Sequence, residues 1–458
     1  MTDVLELNAR QTLGARQELG AMAGGDVDLG ITPELRRRRA REGRFRIYGI
    51  AAILISLSAL ALLVVSTFAK GVGALTETRL GLDITFERSV LAPAGDISPE
   101  TLSPETLSPD TLRRANFRPL IVSALEATLG PADDRQTRRD MVELVSAGAG
   151  FALAEAAIED PALLGTTARV WLPAASDVDL LRKGRIDLEV EESLRVLDDR
   201  QVAWVEALSE SGQLERRFNR TLFTSGDSRE PELAGVLGAL IGSLLVVLTC
   251  FAISFPVGVA TAIYLEEFAP KNRFTDFIEV NINNLAAVPS IVYGLLGLYM
   301  FLGVMGLPRS TPLVGGMVLA LMALPIIIIA SRASLRSVPQ SVRSAALGLG
   351  ASRVQATFHQ VVPLAMPGML TGTIIAMARA LGETAPLLMI GMVAFIVDVP
   401  GGVLDAATTL PVQIFLWFDS PERAFEERAS ATIIVLLALL VVINLSAVIL
   451  RRRLERRW

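Results

Sequence analysis

Two charged side chains stand where charge is expensive. Arg379 and Glu383 lie midway along the apolar window Met369–Val397. At the centre of a membrane-crossing helix each costs about 2.5–3.5 kcal/mol unless it faces water or a partner. They are four residues apart, so on a helix they share one face and can touch. Arg before Glu is the less favourable order for a plain helix pair. Gly382 and Thr384 flank the carboxylate. Two readings stand side by side. In one, the guanidinium lowers the barrier to an anion and offers it a planar fork, while Glu383 keeps that fork oriented. In the other, the pair fixes helix packing. Asn284, Ser290 and Tyr293, in an earlier apolar window, are further candidates for lining the same route. Polar side chains in a span also serve as helix glue.

Other chemistries find little to work with. His359 is the only histidine, so no metal cluster is expected. Cys250 is the only cysteine, so no disulfide forms within the chain. The three lysines, Lys70, Lys183 and Lys271, lie outside any glycine-rich phosphate loop, and no GxxxxGK[ST] occurs. The chain is not expected to hydrolyse ATP, and no catalytic triad is supported.

A second stretch carries mechanics rather than chemistry. Ser337–Pro367, SVPQSVRSAALGLGASRVQATFHQVVPLAMP, is a polar loop pinned between apolar windows. Pro339 can open a helix that SVRSAAL continues. Gly348 and Gly350 interrupt it, and glycine there can take positive φ. Ser352 can cap a second helix, SRVQATFHQVV, expected to stop before Pro363. Ala345 and Ala346 leave a shallow surface that a partner backbone could approach.

The elements that must position these residues follow from composition. The chain has 458 residues, 51% of them hydrophobic. Six windows reach the ~20 residues a bilayer crossing takes: Ile47–Ala69, Leu233–Leu265, Ile282–Val304, Leu313–Ala330, Met369–Val397 and Ala429–Leu450. Pro289, Pro325, Gly372, Gly382 and Pro386 within them allow breaks and close packing. Arg36–Arg39, Arg41, Arg44 and Arg46 precede the first window, and Arg451–Arg453, Arg456 and Arg457 follow the last. Basic flanks beside apolar spans stay cytoplasmic, which places both termini inside and requires an even number of spans. The same setting argues against nucleic-acid binding. The net charge of -5 decides little, because the charges are split between compartments. The first window is too long, and its basic flank too far from residue 1, for a cleaved signal.

The expected organisation is a cytoplasmic tail (1–46) and a first transmembrane helix (47–69). An extracytoplasmic domain (70–231) follows, then a five-helix core (232–450) with a cytoplasmic loop (331–362), and a basic tail (451–458). Residues 1–35 read as mostly disordered with one short helix. Ser98–Leu112 repeats Ser-Pro-Glu/Asp-Thr-Leu three times and reads as a linker. Beyond it, helices are expected over Arg118–Leu129 and Gln136–Ala157, and strands over Thr167–Leu172 and Ile186–Val190. Val202–Phe223 mixes both cues, so the outer part reads as a small α+β domain.

The Ala345-Ala346 pair, Gly350 four residues on and Pro363 thirteen beyond resemble the EAA loop of ABC importer permeases. Ser344 stands where that family often has Glu, and Gln360 where an aliphatic residue is usual. YLEEFAPKNRF (Tyr264–Phe274), NINNLAAVPSIVYGLLG (Asn281–Gly297) and ALGETAPLL (Ala380–Leu388) resemble the A-type permease subunit of the phosphate-specific importer, over about Leu233–Leu450. The resemblance implies an α-helical polytopic fold with six transmembrane helices of the ABC importer permease type. It implies a bacterial inner-membrane location. Ser344, Ala345, Ala346, Gly350 and Pro363 are implied to couple to a separate ATP-binding subunit dimer. The expected partners are a second, C-type permease and an extracytoplasmic phosphate-binding protein. ATP is consumed by the partner subunit, and this chain needs no cofactor. Arg379, Glu383, Thr384, Asn284 and Ser290 become candidates for a phosphate pathway. Two alternatives remain open: a permease for another oxyanion such as sulfate, molybdate or phosphonate, and a membrane sensor with an extracytoplasmic ligand domain. A sensor needs a cytoplasmic signalling domain, which neither the tail nor the loops provide.

Overall fold

The structure is a computed structural model that describes residues 33–87, 109–393 and 395–454. The expected tail disorder, most of the Ser-Pro repeat and the last basic residues lie outside the described residues. The chain divides into two compact units, one ending at Val65 and the other beginning at Ser66. The first holds most of helix α1 (Pro33–Gly71), which carries an apolar window of membrane length.

The second unit begins with a small α+β domain. Strand β1 (Thr76–Thr85) pairs antiparallel with β2 (Thr167–Pro173) on one side and β3 (Leu214–Phe218) on the other. Leu80 stands opposite both Leu172 and Leu214, and all three are buried. Leu82 and Ile84 continue that face with the period of two that a half-buried strand requires. Around it lie α2 (Pro109–Arg114), α3 (Arg118–Leu129), α4 (Arg135–Val142), α5 (Ala149–Glu159), α6 (Ser176–Arg182) and α7 (Asp199–Glu210). Their Leu125, Leu153 and Leu208, with Leu144 just after α4, close one hydrophobic core. The sequence cues missed β1, and Gln136–Ala157 splits into two helices. Ile186–Val190 forms no strand despite its alternation, because it finds no pairing partner after the Gly184 turn.

The domain enters and leaves the membrane part at one place. Thr76 pairs with Phe218, and the Asn219 side chain donates to Ala74 O at 3.1 Å. An ionic chain then fastens α6 to the last long helix, α17 (Ala424–Leu454). Asp179 accepts from Thr78 N at 2.9 Å and Thr78 Oγ1 at 2.7 Å. Lys183 Nζ, on the turn after α6, reaches Asp179 at 2.5 Å and Glu427 at 2.9 Å. The Lys183 and Glu427 side chains are only 6% and 10% exposed. Removing one partner of such a pair leaves a buried charge, typically at a cost of 3–5 kcal/mol. Lys183→Met is therefore expected to lower the thermal unfolding midpoint clearly. The double variant with Glu427→Met should recover most of the loss. A single variant as stable as the parent in a melting assay would contradict the clamp.

The long helices of the second unit, with α1, make up the membrane part. Five described helices are long and apolar enough to cross, and six spans result when one bent pair counts as a span. They are α1, then α8 (Leu237–Ile263) with a π-helical end, Tyr264–Phe268. The bent pair is α9 (Arg273–Ala286) with α10 (Ser290–Gly297) and its π-helical extension to Val304. α11 (Pro312–Ser337) follows, then the fifth span and α17. The third window is not one straight helix: the axis turns by 103° at the break before Ser290. Pro289 supplies no N–H to continue the ladder, and Tyr293 Oη donates to the freed Leu285 carbonyl at 2.7 Å. The fifth span also shifts. A helix begins at α13 (Arg353–Ala356), passes through a π-helical turn (Thr357–Val361) and continues as α14 (Val362–Leu381). It does not stop before Pro363, because proline at the first turn of α14 surrenders a donor that the π-turn has already displaced. It ends at Leu381, so the window to Val397 is not one helix. Short helices α15 (Ala385–Met389) and α16 (Leu410–Phe418) fill the rest.

Candidate functional site

The loop after α11 is a folded lever. Helix α12 (Gln340–Gly348) starts after Pro339, its N-cap. It closes in a Schellman arrangement: Ala351 N–H donates to Ala346 O at 3.1 Å and Gly350 N–H to Leu347 O at 2.9 Å. Gly350 takes φ +88, the left-handed region where a Cβ is penalised. Ser352 then caps α13 through a reciprocal capping box with Gln355. Ser344 and Ala345 are exposed, Ala346 is half-buried and Pro363 lies further along, inside the continuous helix. His359 is exposed beside them. Leu349 is 90% exposed at the tip, and Leu347, Val354 and Phe358 are bare as well. Exposed apolar residues clustered in this way are a common mark of interaction sites.

Behind the tip lies a cluster that sequence reading missed. Arg343 of α12 places Nη2 2.6 Å from Glu267 Oε1, with Nε 3.2 and 3.3 Å from the two carboxylate oxygens. The same guanidinium donates to Val338 O at 2.7 Å and Leu335 O at 2.9 Å. Glu266 meets Arg336 at 3.0 Å and Arg332 at 3.4 Å, and Arg332 meets Glu279 at 2.9 Å. Glu266 and Glu267 belong to the π-helical end of α8, so the cluster joins α8, α9, α11 and α12. The signal was the glutamate pair in YLEEF, but its partners lie 66 and more residues away.

The charged pair of the fifth span sits at a helix end, not midway along one. Arg379 is in the last turn of α14, where the helix dipole favours a cation. Glu383 lies in the break before α15, with Arg379 Nε to Glu383 Oε1 at 3.4 Å. The Arg379 side chain is half exposed while Glu383 is largely covered. Thr384 precedes α15 and is half-buried. α10 packs on this break: a Cβ on Gly294 would lie 2.7 Å from Pro386 Cα. That contact sets α10, which carries Ser290 and Tyr293, against the segment that follows Glu383, and no described contact joins Ser290 to the pair. Tyr293 is buried and its hydroxyl is taken by Leu285. Asn284 is exposed on α9, and no described contact joins it to Arg379. Small residues let α14 approach α11 closely, with a Cβ on Gly372 landing 2.2 Å from Ala330 Cβ.

A cleft of about 1010 Å3 lies where the α+β domain meets the start of α17 and the segment before α8. Asp177, Glu230, Glu232 and Glu422 line it with Arg118, Arg139 and Arg423. Burial pushes the Asp177, Glu232 and Glu422 carboxyls up, and neighbouring carboxylates push Glu422 further.

Comparison with known proteins agrees with this layout. Residues 254–458 match the binding-protein-dependent transport system inner membrane component, and residues 32–192 match a domain of unknown function, DUF3333. The phosphate transport system permease protein PstA 1 of Mycobacterium tuberculosis is 32% identical over 225 residues, covering 49% of this chain and 72% of the relative. The PstA protein of Haemophilus influenzae is 32% identical over 200 residues, covering 44% and 70%. The probable ABC transporter permease YqgI of Bacillus subtilis is 36% identical over 154 residues. That match covers 34% of this chain and about half, 52%, of the relative's length. Among solved structures, the inward-facing MetNI methionine ABC transporter aligns over 48% of this chain and 95% of its own, at TM-score 0.39 and 17% identity.

Proposed function

This chain belongs to the family of phosphate transport system permease proteins, PstA, and we propose that it forms half the pathway of an ATP-driven phosphate importer. It is a multi-pass membrane protein and a transport component, not a catalyst. In this reading both termini and the α12 lever face the cytoplasm, and the α+β domain faces outward from a bacterial inner membrane. The lever docks on one copy of a separate ATP-binding subunit dimer. A second, C-type permease supplies the other half of the pathway, and an external phosphate-binding protein delivers the anion.

The observation that carries the reading is the lever itself. An apolar tip led by Leu349 is held out on a helix that starts after Pro339 and closes in the Schellman turn at Gly350. It suits a groove on a partner, and it stands beside the ion-pair cluster that ties it to three membrane helices. Closure of the ATPase dimer moves such a lever, and the helices move with it. Arg379 and Glu383 then serve the anion. Phosphate bears one to two negative charges near neutral pH, and a half-exposed guanidinium at a helix break lowers the cost of passing it.

The test is uptake of labelled phosphate by vesicles holding the assembled complex. Phosphate is expected to compete fully, and sulfate, molybdate and phosphonate poorly. Preferred uptake of one of those oxyanions would replace the phosphate assignment while leaving the permease role.

A further inference from the structure

We infer that Arg343 and Glu267 form the rivet that turns movement of the coupling helix into movement of the transmembrane helices. This deepens the coupling reading above and rests on it. Arg343 is a positioning residue: it acts through Glu267 and through two backbone carbonyls.

The geometry carries the inference in three steps. First, the guanidinium spends its donors on two different helices. Nη2 and Nε grip the Glu267 carboxylate at the end of α8. Nη1 donates to Val338 O, the C-cap of α11, and Nη2 to Leu335 O in its last turn, which also accepts from Val338 N–H at 3.3 Å. Second, the pair is shielded, with side chains only 15% and 11% exposed. Water competes little there, and a charge-assisted two-point grip is among the stronger links a protein has. Third, the helices so gripped are packed without slack. A Cβ on Gly258 of α8 would lie 2.8 Å from Ile327 of α11, and one on Gly316 of α11 would lie 2.5 Å from Thr249 of α8. α11 in turn touches α14 through Gly368 and Gly372, and α14 carries Arg379 in its last turn. A displacement of α12 therefore cannot be absorbed at its root. It reaches α8 and α11 together, and through α11 it reaches the charged pair.

The residue types are specific to the task. Lysine offers a point charge and cannot hold a carboxylate and two carbonyls in one plane. The π-helical turn at Tyr264–Phe268 lets neighbouring glutamates serve different arginines, Glu266 to Arg332 and Arg336, Glu267 to Arg343. Such turns recur at functional sites.

The experiment uses the complete complex, reconstituted with its ATPase and binding protein, and reads ATP hydrolysed per phosphate imported. Glu267→Gln keeps the volume and leaves both carbonyl bonds of Arg343 in place. It is expected to raise that ratio about fivefold or more, the lower end of ordinary coupling energies. Arg343→Gln should do the same. The double variant should be no worse than the worse single, because both lesions cut one link. The ATPase should still co-purify with every variant, since the Leu349 tip is untouched. Glu267→Asp, which keeps the charge and shortens the reach, should shift the ratio in the same direction by less. An unchanged ratio in both glutamine variants, or a double variant whose defect multiplies the singles, would overturn the rivet while sparing the coupling role. Loss of the ATPase from the parent complex would overturn both.

Discussion

Arg379→Gln is expected to cut phosphate uptake about a hundredfold while the complex still assembles. The size follows from what one guanidinium offsets. A charge at the centre of a span costs about 2.5–3.5 kcal/mol, and 1.4 kcal/mol is a factor of ten in rate. Glutamine is shorter but keeps a polar, uncharged side chain, and at this half-exposed position helix packing changes little. Arg379 is half exposed and meets Glu383 at 3.4 Å, an open geometry that leaves room for an anion to share the fork. If the pair served packing alone, the variant would instead lose assembly and keep transport in whatever complex remained. Uptake by matched amounts of purified complex separates the two. Glu383→Gln should weaken transport less, since the cation that meets the anion stays.

Replacing Gly350 by valine is expected to release the ATPase and abolish ATP-driven uptake. Gly350 holds φ +88 at the end of α12. An L-residue there costs on the order of 1–2 kcal/mol, and a β-branched one more. Nothing lies within 4 Å of a Cβ at this position, so the penalty is conformational and not a clash. The strain is relieved by opening the turn, which turns Leu349 away from its docking direction. The α+β domain, at the other end of the 27-residue helix α8 that spans about 40 Å, should melt as before. Co-purification of the ATPase with the Gly350→Val chain at parental yield would contradict this.

How much of the molecule was legible in the sequence depends on the range of the forces involved. The lever was readable because its grammar is local: Pro339, Gly350 and Ser352 each act within a few residues. The arrest expected before Pro363 failed because a π-turn, which leaves no compositional mark, carries the helix past it. The Arg379–Glu383 pair was found by its misfit in an apolar window. Its place at a helix end was not, since Gly382 reads equally well as a packing residue. Ile186–Val190 has the alternation of a strand, yet it pairs with neither edge strand of the sheet, β2 or β3, and alternation alone does not make a strand. The Arg343–Glu267 grip joins residues 76 apart and only folding brings it together.

The central claim is that the α12 tip is where an external motor takes hold of this chain. Its most direct measurement is a crosslink from Leu349→Cys, with Cys250 replaced, in intact membranes holding the whole complex. The account predicts capture of a nucleotide-hydrolysing subunit and protection from thiol reagents that cannot enter the cell. A cysteine there that labels freely from outside, and joins no such subunit, would contradict it.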